Sequence, residues 1–169
     1  MEIQTLNDLL VEQLQDLYNA ETQLLVALPK LASASSHEEL RDAFEKHLQE
    51  TREHVSRLDR IGGEMRISLQ GEECLGMAGL IREGEEVLAM QGDPTVIDAA
   101  LIAAAQRVEH YEIAAYGTAK TLAGQLDLGD AKDLLEETLD EEAKADKLLT
   151  SIATGGMFKT GLNQRAAAH

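Results

Sequence analysis

The chain has 169 residues, of which 44% are hydrophobic, and it carries a formal net charge of −16. This length and hydrophobic content suffice for one domain with a single core. The acidity argues against nucleic acid and anionic membranes as partners, because both need clustered Lys and Arg side chains. Only 3% of the residues are aromatic and Trp is absent, so Leu and Ala must fill the core, which is typical of an all-α bundle.

A single cysteine, Cys74, leaves no partner for an intramolecular disulfide and no thiolate metal cluster. Residues 1–7 lack the basic and apolar regions of an export signal, and no stretch of about 18 apolar residues predicts a membrane span. We therefore expect a cytoplasmic protein. Most of the 31 acidic residues are expected to form a solvated surface.

Four long helices are predicted, over about residues 5–33, 37–62, 94–124 and 130–154. Capping pairs mark their starts: Thr5 with Asp8, Ser36 with Glu39, Asp93 before Pro94, and Asp130 with Asp133. Glycines 62 and 63 close the second helix, and glycines 124 and 129 bracket the turn between the last two. The helices therefore pair as two tight antiparallel hairpins.

Residues 64–92 join the two hairpins and are long enough to cross the bundle. Their scattered apolar residues predict a weak, glycine-interrupted helix or two short ones. A four-helix bundle with one long crossover is the topology of ferritin-like folds. Residues 1–154 form this single domain, and residues 155–169, which include Met157 and Phe158, are predicted to be a mobile tail unless they dock onto a neighbouring subunit.

The two hairpins behave as copies of one unit. A constant offset of 91 residues pairs Glu21 with Glu112 and Glu50 with Glu141, and no gap is needed. Several apolar positions recur in the same register, as expected of two units that bury their apolar faces against each other.

Acidic side chains interrupt the apolar stripes of these helices. At about 100° per residue, Glu21 falls near the centre of the first stripe and Glu112 near the centre of the third. The remaining inward candidates are Glu50 and His54 on the second helix, Glu109 on the third, and Glu142 and Asp146 on the fourth. Of these, Glu50, Glu109 and Asp146 lie nearer the edge of the stripe. Buried acids must be protonated, paired with cations or bound to metal.

Carboxylates and an imidazole that converge from four helices suit two bridged iron or manganese ions. The predicted metal ligands are Glu21, Glu50, His54, Glu109, Glu112, Glu142 and Asp146. A buried hydrogen bond or a loop cap is the alternative for the glutamates. His47 is either an outer-sphere group or a hydrogen-bonded boundary histidine. Glu141 is assigned to the surface and His110 to the surface or a subunit contact. Tyr116 is assigned to packing, with hydrogen-bond or electron donation near the metal pair as the alternative.

Four segments resemble a known family. They read Leu-Tyr-Asn-Ala-Glu (17–21), His-Leu-Gln-Glu-Thr-Arg-Glu-His (47–54), Glu-His-Tyr-Glu-Ile-Ala-Ala-Tyr-Gly-Thr (109–118) and Thr-Leu-Asp-Glu-Glu (138–142). In this order they are similar to the YciF/YciE stress-protein family of ferritin-like domains, also called DUF892. The resemblance extends to about residue 154 and implies a bacterial protein with a di-metal centre.

The chain departs from the wider ferritin-like pattern, in which Glu-x-x-His recurs on the second and fourth helices. Thr51 stands three residues before His54, and Ala145 stands three after Glu142. The spacings here are Glu50-x-x-x-His54 and Glu142-x-x-x-Asp146, still one helical turn. The predicted site is therefore richer in carboxylate and less selective between iron and manganese.

The first functional hypothesis is a di-iron or iron–manganese oxidoreductase of the stress response that acts on peroxide, dioxygen or ferrous iron. Its catalytic residues would be Glu21, Glu50, His54, Glu112 and Glu142, and its electrons would come from ferrous iron or an external donor. A second hypothesis is iron binding without turnover, and a third is a non-enzymatic helical interaction protein. A homodimer is the expected assembly.

Overall fold

The computed structural model describes residues 3–156 and 159–168. Its elements are α1 (Leu6–Ala34), α2 (Glu38–Met65), α3 (Leu75–Leu88), α4 (Pro94–Gln125), α5 (Gly129–Thr154), β1 (Gly155–Gly156), β2 (Lys159–Thr160) and α6 (Leu162–Ala166). Helices α1 with α2 and α4 with α5 form two antiparallel hairpins that pack against each other. The predicted all-α, ferritin-like four-helix bundle is confirmed.

Two of the four predicted helix starts have the predicted caps. Thr5 Oγ1 accepts the Asp8 N–H at 3.1 Å, and Asp8 Oδ2 accepts the Thr5 N–H at 2.9 Å, which is a complete capping box. Asp93 accepts the N–H groups of Thr95 and Val96 ahead of α4, with Pro94 in the first turn. Helix α5 begins at Gly129 without a side-chain cap, so the prediction for Asp130 was wrong.

The start of α2 is capped from another helix. Asp98, 1% exposed on α4, accepts hydrogen bonds from the Ser36 N–H (3.0 Å), the Ser36 hydroxyl (2.6 Å) and the His37 N–H (2.9 Å). The predicted box of Ser36 with Glu39 is therefore replaced by a carboxylate 62 residues away along the chain. This contact joins the two hairpins at one end of the bundle.

Helix α2 continues past the predicted stop at Gly62. It ends at Met65, where Arg66 takes a left-handed conformation (φ 56°) and closes the last turn. Gly62 serves packing instead, because a Cβ there would lie 2.9 Å from the Leu69 side chain. The close approach of the crossover requires glycine at this position.

The crossover contains one helix, α3, rather than two short ones. Cys74 begins it by accepting the Met77 N–H on Sγ at 3.4 Å. The Tyr111 hydroxyl of α4 lies 2.9 Å from the same sulfur and donates to Asp16 of α1 at 2.6 Å. These contacts, with the buried Met77, fix α3 against α1 and α4.

The apolar core is divided into two clusters. One is built around Leu24, Leu28, Leu40, Phe44, Leu101, Ile102, Leu149 and Ile152. The other is built around Leu10, Leu14, Leu17, Leu58, Ile61, Tyr116 and Leu135. A layer of polar side chains lies between them, because each long helix carries its acid or histidine between two sets of leucines. The layer is thus shielded from solvent at both ends of the bundle.

The described part of the C-terminal tail, for which we predicted mobility, is packed against the bundle. Gly155 (φ 71°) pairs with Thr160 in the β1–β2 hairpin, and a Cβ on Gly155 would lie 2.2 Å from the Lys159 carbonyl oxygen. Leu162 of α6 is 1% exposed and joins the first apolar cluster. Met157 and Phe158 lie outside the described residues.

Within the described residues, no helix combines the length and the hydropathy that a membrane crossing requires.

We expect Asp98→Ala to destabilise the protein by about 1–3 kcal/mol, because the start of α2 loses three hydrogen bonds to a buried carboxylate. Chemical unfolding of the variant measures this change. Asp130→Ala is the matched control: it removes a predicted cap that the structure does not form, and its effect should stay within about 0.5 kcal/mol. Equal losses in the two variants would contradict the capping role of Asp98.

Candidate metal centre

Six ionisable side chains form the polar layer between the two apolar clusters, and none is more than 4% exposed. They come from all four long helices: Glu21 on α1, His47 and His54 on α2, Glu109 and Glu112 on α4, and Glu142 on α5. Four carboxylates therefore share a small desolvated volume with two imidazoles. Such a concentration of buried acids is typical of metal sites rather than of apolar cores.

One set of ligand atoms, here named the His54 group, comprises Glu21, His54 and Glu142. His54 Nδ1 lies 3.2 Å from Glu21 Oε1 and 3.0 Å from Glu142 Oε1. All three side chains are 0% exposed. Their ligand atoms lie within 4.8 Å of one another, close enough to bind one cation.

A second set, named the His47 group, comprises His47, Glu109, Glu112 and Glu142. His47 Nε2 lies 3.5 Å from Glu109 Oε1 and 3.7 Å from Glu142 Oε2. The four ligand atoms again lie within 4.8 Å of one another. Glu142 belongs to both groups and presents a different oxygen to each histidine, which is the arrangement of a carboxylate between two cation positions.

Many polar atoms in this layer have no hydrogen-bond partner among the described residues. They include both oxygens of Glu112 and Glu142, one oxygen each of Glu21 and Glu109, both ring nitrogens of His47, and His54 Nδ1. Buried polar groups are almost always satisfied, so this many converging atoms need an explanation. A metal ion bonded to these atoms would satisfy them together.

The carboxylates of the layer have shifted pKa values. Burial, the largest influence, raises the pKa of Glu21 and raises those of Glu109 and Glu112 well above their ordinary value. Mutual repulsion adds to the effect, since Glu142 is among the groups that raise each of them. Without a bound cation, burial and mutual repulsion therefore disfavour the charged form of these acids.

The two histidines are shifted in the same direction by their acidic neighbours. Burial alone would lower the pKa of His47, but Glu109 and Glu142 raise it to about 9. Burial likewise opposes charge on His54, and Glu142 and Glu21 raise its pKa to about 11. The imidazoles therefore carry the positive charge that a metal ion would otherwise supply.

His54 is oriented by a carboxylate on its far side. Its Nε2 lies 2.9 Å from Glu141 Oε2, and Arg57 donates to the same Glu141 oxygen at 2.6 Å. Arg57 also donates to Thr138 and Glu137. If Nε2 carries the proton, Nδ1 keeps its lone pair toward Glu21 and Glu142, which is the tautomer that a metal ligand needs. The prediction that Glu141 is a surface charge was wrong, since it is only 22% exposed.

Tyr116 also contacts the His54 group. Its hydroxyl donates to Glu21 Oε1 at 2.5 Å, and the side chain is completely buried. This bond holds one carboxylate oxygen while the other, Oε2, has no partner. Tyr116 therefore packs in the core, as we predicted, and also positions the candidate ligand Glu21.

Two predicted ligands lie at the margin of the layer. Glu50 is 22% exposed, accepts a hydrogen bond from Lys46, and has Oε2 3.9 Å from His47 Nδ1. Asp146 is 21% exposed, accepts a hydrogen bond from Gln106 at 2.9 Å, and lies 3.4 Å from the exposed His110. The structure therefore groups Glu21, His54, Glu109, Glu112 and Glu142 but leaves Glu50 and Asp146 outside both sets.

Sequence reasoning gave too little weight to His47 and to Glu141. His47 stands seven residues before His54, two helical turns along the same face, and this spacing could have placed both rings in the layer. Glu141 is the repeat partner of Glu50, which we predicted to be a metal ligand, so the repeat could have indicated a position near the layer for Glu141 as well. No pattern in the sequence indicated that Arg57 would fold inward onto Glu141.

The fold and the polar layer define a ferritin-like helical bundle with a candidate metal centre. The family model described as "Domain of unknown function (DUF892)" matches residues 5–167, and the chain belongs to this family. Protein YciF of Escherichia coli (strain K12) is 46% identical over 165 residues, which cover 97% of this chain and 99% of that protein. The predicted membership of the YciF stress-protein family is confirmed.

Solved structures agree with the fold. The crystal structure of the E. coli stress protein YciF superposes with a TM-score of 0.86 at 47% identity and covers 88% of this chain and 94% of that one. YcfI of Rhodopseudomonas palustris superposes with a TM-score of 0.87 at 39% identity, covering 90% and 97%. A Xanthomonas campestris protein at 20% identity (TM-score 0.70, covering 97% and 94%) shares the fold alone.

We expect the metal-free protein to lose stability as the pH rises above 6.5. His47 has an ordinary pKa of 6.5 and a folded pKa of about 9, so its contribution is complete below pH 6.5 and disappears as the pH passes 9. The raised pKa values of Glu109 and Glu112 act with the same sign. Thermal unfolding across this range measures the slope.

The variant His47→Gln should flatten this slope, whereas His110→Gln, which changes a histidine 69% exposed on the surface, should leave it unchanged. A melting temperature that stays constant or rises between pH 6.5 and 9 in the metal-free protein would contradict the assignment.

Proposed function

We propose that the polar layer holds two metal ions, iron in the first place and manganese as the alternative. The His54 group would hold one ion, the His47 group the other, and Glu142 would bridge them. The sharing of Glu142 between two complete ligand sets is the observation that carries this proposal. Paired metals held by glutamates and histidines inside a four-helix bundle are a known arrangement of ferritin-like proteins.

The donor set favours iron or manganese. The layer contains four carboxylates and two imidazoles, and the described residues offer no thiolate in either group. Hard oxygen donors combined with imidazole suit these two metals, whereas zinc and copper sites more often use sulfur or additional nitrogen. The four negative charges would also be balanced by two divalent cations more completely than by two imidazolium rings.

We infer that the centre takes part in an oxidative stress response, either by oxidising ferrous iron or by reducing peroxide or dioxygen. A bound iron pair supplies the electron-transfer chemistry. The chain's own residues hold the site: Tyr116 fixes one oxygen of Glu21, Glu141 fixes the ring of His54, and the two apolar clusters exclude bulk water. The E. coli relative is described as a stress protein, which agrees with this role.

The source of electrons lies outside the chain in this proposal. The sequence contains one cysteine, so it lacks the four thiolates of a rubredoxin-type iron centre. Ferrous iron as substrate, or a separate reductant protein, would supply them. A homodimer and a cytoplasmic location remain part of the proposal.

The first test is anaerobic loading with ferrous iron, followed by elemental analysis and by optical spectra after peroxide or air is added. Two irons per chain and a new absorbance after oxidation would support the redox centre. The oxidant that produces this absorbance faster, peroxide or air, would be the preferred one. Bound iron that does not respond to either oxidant would favour iron binding without turnover. Failure to bind iron or manganese would favour the interaction-protein hypothesis.

Single substitutions should remove the ions separately. Glu21→Ala is expected to lose the ion of the His54 group, and Glu112→Ala the ion of the His47 group. Glu142→Ala, like the double variant with both Glu21 and Glu112 replaced, should bind neither, because the bridge serves both positions. Elemental analysis gives the stoichiometry, and Glu53→Ala, on the exposed face of α2, is the control. Full occupancy in Glu142→Ala would refute the shared-ligand assignment.

Glu141→Gln should weaken metal binding at the His54 group by about 10–100-fold, because the proton on Nε2 loses its charged acceptor. Glu137→Gln is a matched control, since Glu137 also binds Arg57 but is 58% exposed and does not reach His54. Competition with a chelator measures the affinities of both variants. Equal affinities for the two would show that Glu141 does not position the histidine.

A further inference from the structure

A narrow cleft connects the polar layer with the surface between α2 and α5. The space in it, including its open mouth, is about 320 Å³. It is lined by Ala43, Phe44, Lys46, His47 and Glu50 from α2, Glu109 from α4, and Lys144, Ala145, Leu148 and Leu149 from α5. The cleft therefore has solvent-exposed lysines at its mouth and two members of the His47 group at its inner end.

Ligand atoms follow one another along this cleft. Glu50, 22% exposed, lies nearest to solvent, and its Oε2 is 3.9 Å from His47 Nδ1. His47 Nε2, on the other edge of the same ring, faces Glu109 and Glu142 at 3.5 and 3.7 Å. Both ring nitrogens lack a hydrogen-bond partner among the described residues, and the side chain is only 5% exposed, so water reaches it poorly. A buried, unsatisfied imidazole thus stands between a surface carboxylate and the buried ones.

Glu50, the carboxylate at the mouth of the cleft, forms an ion pair with a lysine side chain. Lys46 donates to Glu50 Oε1 from one turn earlier on α2, and its side chain is 61% exposed. Ion pairs at the surface contribute at most about 1 kcal/mol, and the exposed Lys46 can therefore exchange partners readily. A divalent cation that reaches the mouth can therefore replace the lysine ammonium on Glu50.

We propose that this cleft is the route by which divalent metal ions pass between solvent and the His47 group, with Glu50 as the receiving carboxylate and Lys46 as the cation that the metal replaces. The proposal rests on the metal-binding function proposed above and deepens it. It assigns Glu50 a transit role, in agreement with its place outside both ligand sets.

The opposite half of the α2–α5 interface is closed. There Arg57, 16% exposed, binds Glu137, Thr138 and Glu141, and Glu141 binds His54. Two carboxylates, Glu137 and Glu141, neutralise its guanidinium, and the bonded side chain covers Glu141 and His54 on this side of the bundle. Ions of the His54 group would consequently be loaded after, and released more slowly than, those of the His47 group.

Cobalt(II) uptake, followed by stopped-flow absorbance on the purified metal-free chain, tests the route. Glu50→Gln should slow the first phase about tenfold, because it removes the charge that attracts the cation. Lys46→Gln should accelerate it, because Glu50 is then free. If Lys46 acts only through Glu50, the double variant should be as slow as Glu50→Gln. Ala145→Leu, which fills the cleft, should slow uptake as well.

Matched controls exist on the same two helices. Arg60 and Glu64 form a pair of the same i,i+4 spacing on α2, both exposed and away from the cleft. Arg60→Gln and Glu64→Gln should leave the rates unchanged. Ala143→Leu adds the same bulk to α5 at a half-buried alanine that does not line the cleft. Elemental analysis at equilibrium should give the same cobalt content for all variants.

The outcomes separate the route from the function. Unchanged uptake rates in Glu50→Gln and Ala145→Leu, with full cobalt content, would overturn the route and leave the metal centre intact. Loss of one cobalt at equilibrium in Glu50→Gln would make Glu50 a resident ligand and overturn its transit role. Absence of cobalt binding in the unsubstituted chain, checked also with iron and manganese, would overturn both proposals.

Discussion

The desolvation of four carboxylates in one layer is the constraint on which this structure depends. Each buried charge costs several kcal/mol unless it is compensated, and among the described residues the layer offers two imidazoles as cationic groups. Charge balance therefore requires either protons on the surplus acids or bound metal. Since the metal-free layer must hold protons that it would release to a metal ion, folding stability, pH and metal affinity are linked in this protein.

The two apolar clusters make this arrangement possible. Leucines on both sides of each acid bury enough surface to fix four helices around groups that would otherwise prefer water. Contacts from outside the layer then fix individual side chains, as Tyr116 does for Glu21 and Glu141 for His54. The polar layer is held in place by packing that contributes nothing to the chemistry itself, and a site built on rigid helices keeps its geometry.

The sequence allowed the fold to be predicted because each long helix carries local signals that agree with its packing. The inward position of Glu21 and Glu112 was predicted because both lie at the centre of an apolar stripe, and that side of the helix packs into the core.

Contacts between distant segments were not predictable: nothing local shows that Asp98 caps α2 or that Arg57 turns toward Glu141. Glu50 and Asp146 were harder still, because side chains at a stripe edge are directed by neighbours such as Lys46 and Gln106. The packing of the tail was not predictable from local sequence, because glycine, which favours flexible segments, also permits two backbones to approach closely.

The 91-residue repeat also shows how the two halves of the α2–α5 interface differ. The offset pairs His54 with Ala145 and Arg57 with Leu148. The first member of each pair belongs to the closed half of the α2–α5 interface, and the second lines the cleft. If the two hairpins were identical, both halves of the α2–α5 interface would be lined by the same side chains. Because the copies differ at these positions, a small or apolar side chain borders the His47 group where a histidine or an ion-paired arginine borders the His54 group, and the two cation positions therefore differ in their access to solvent.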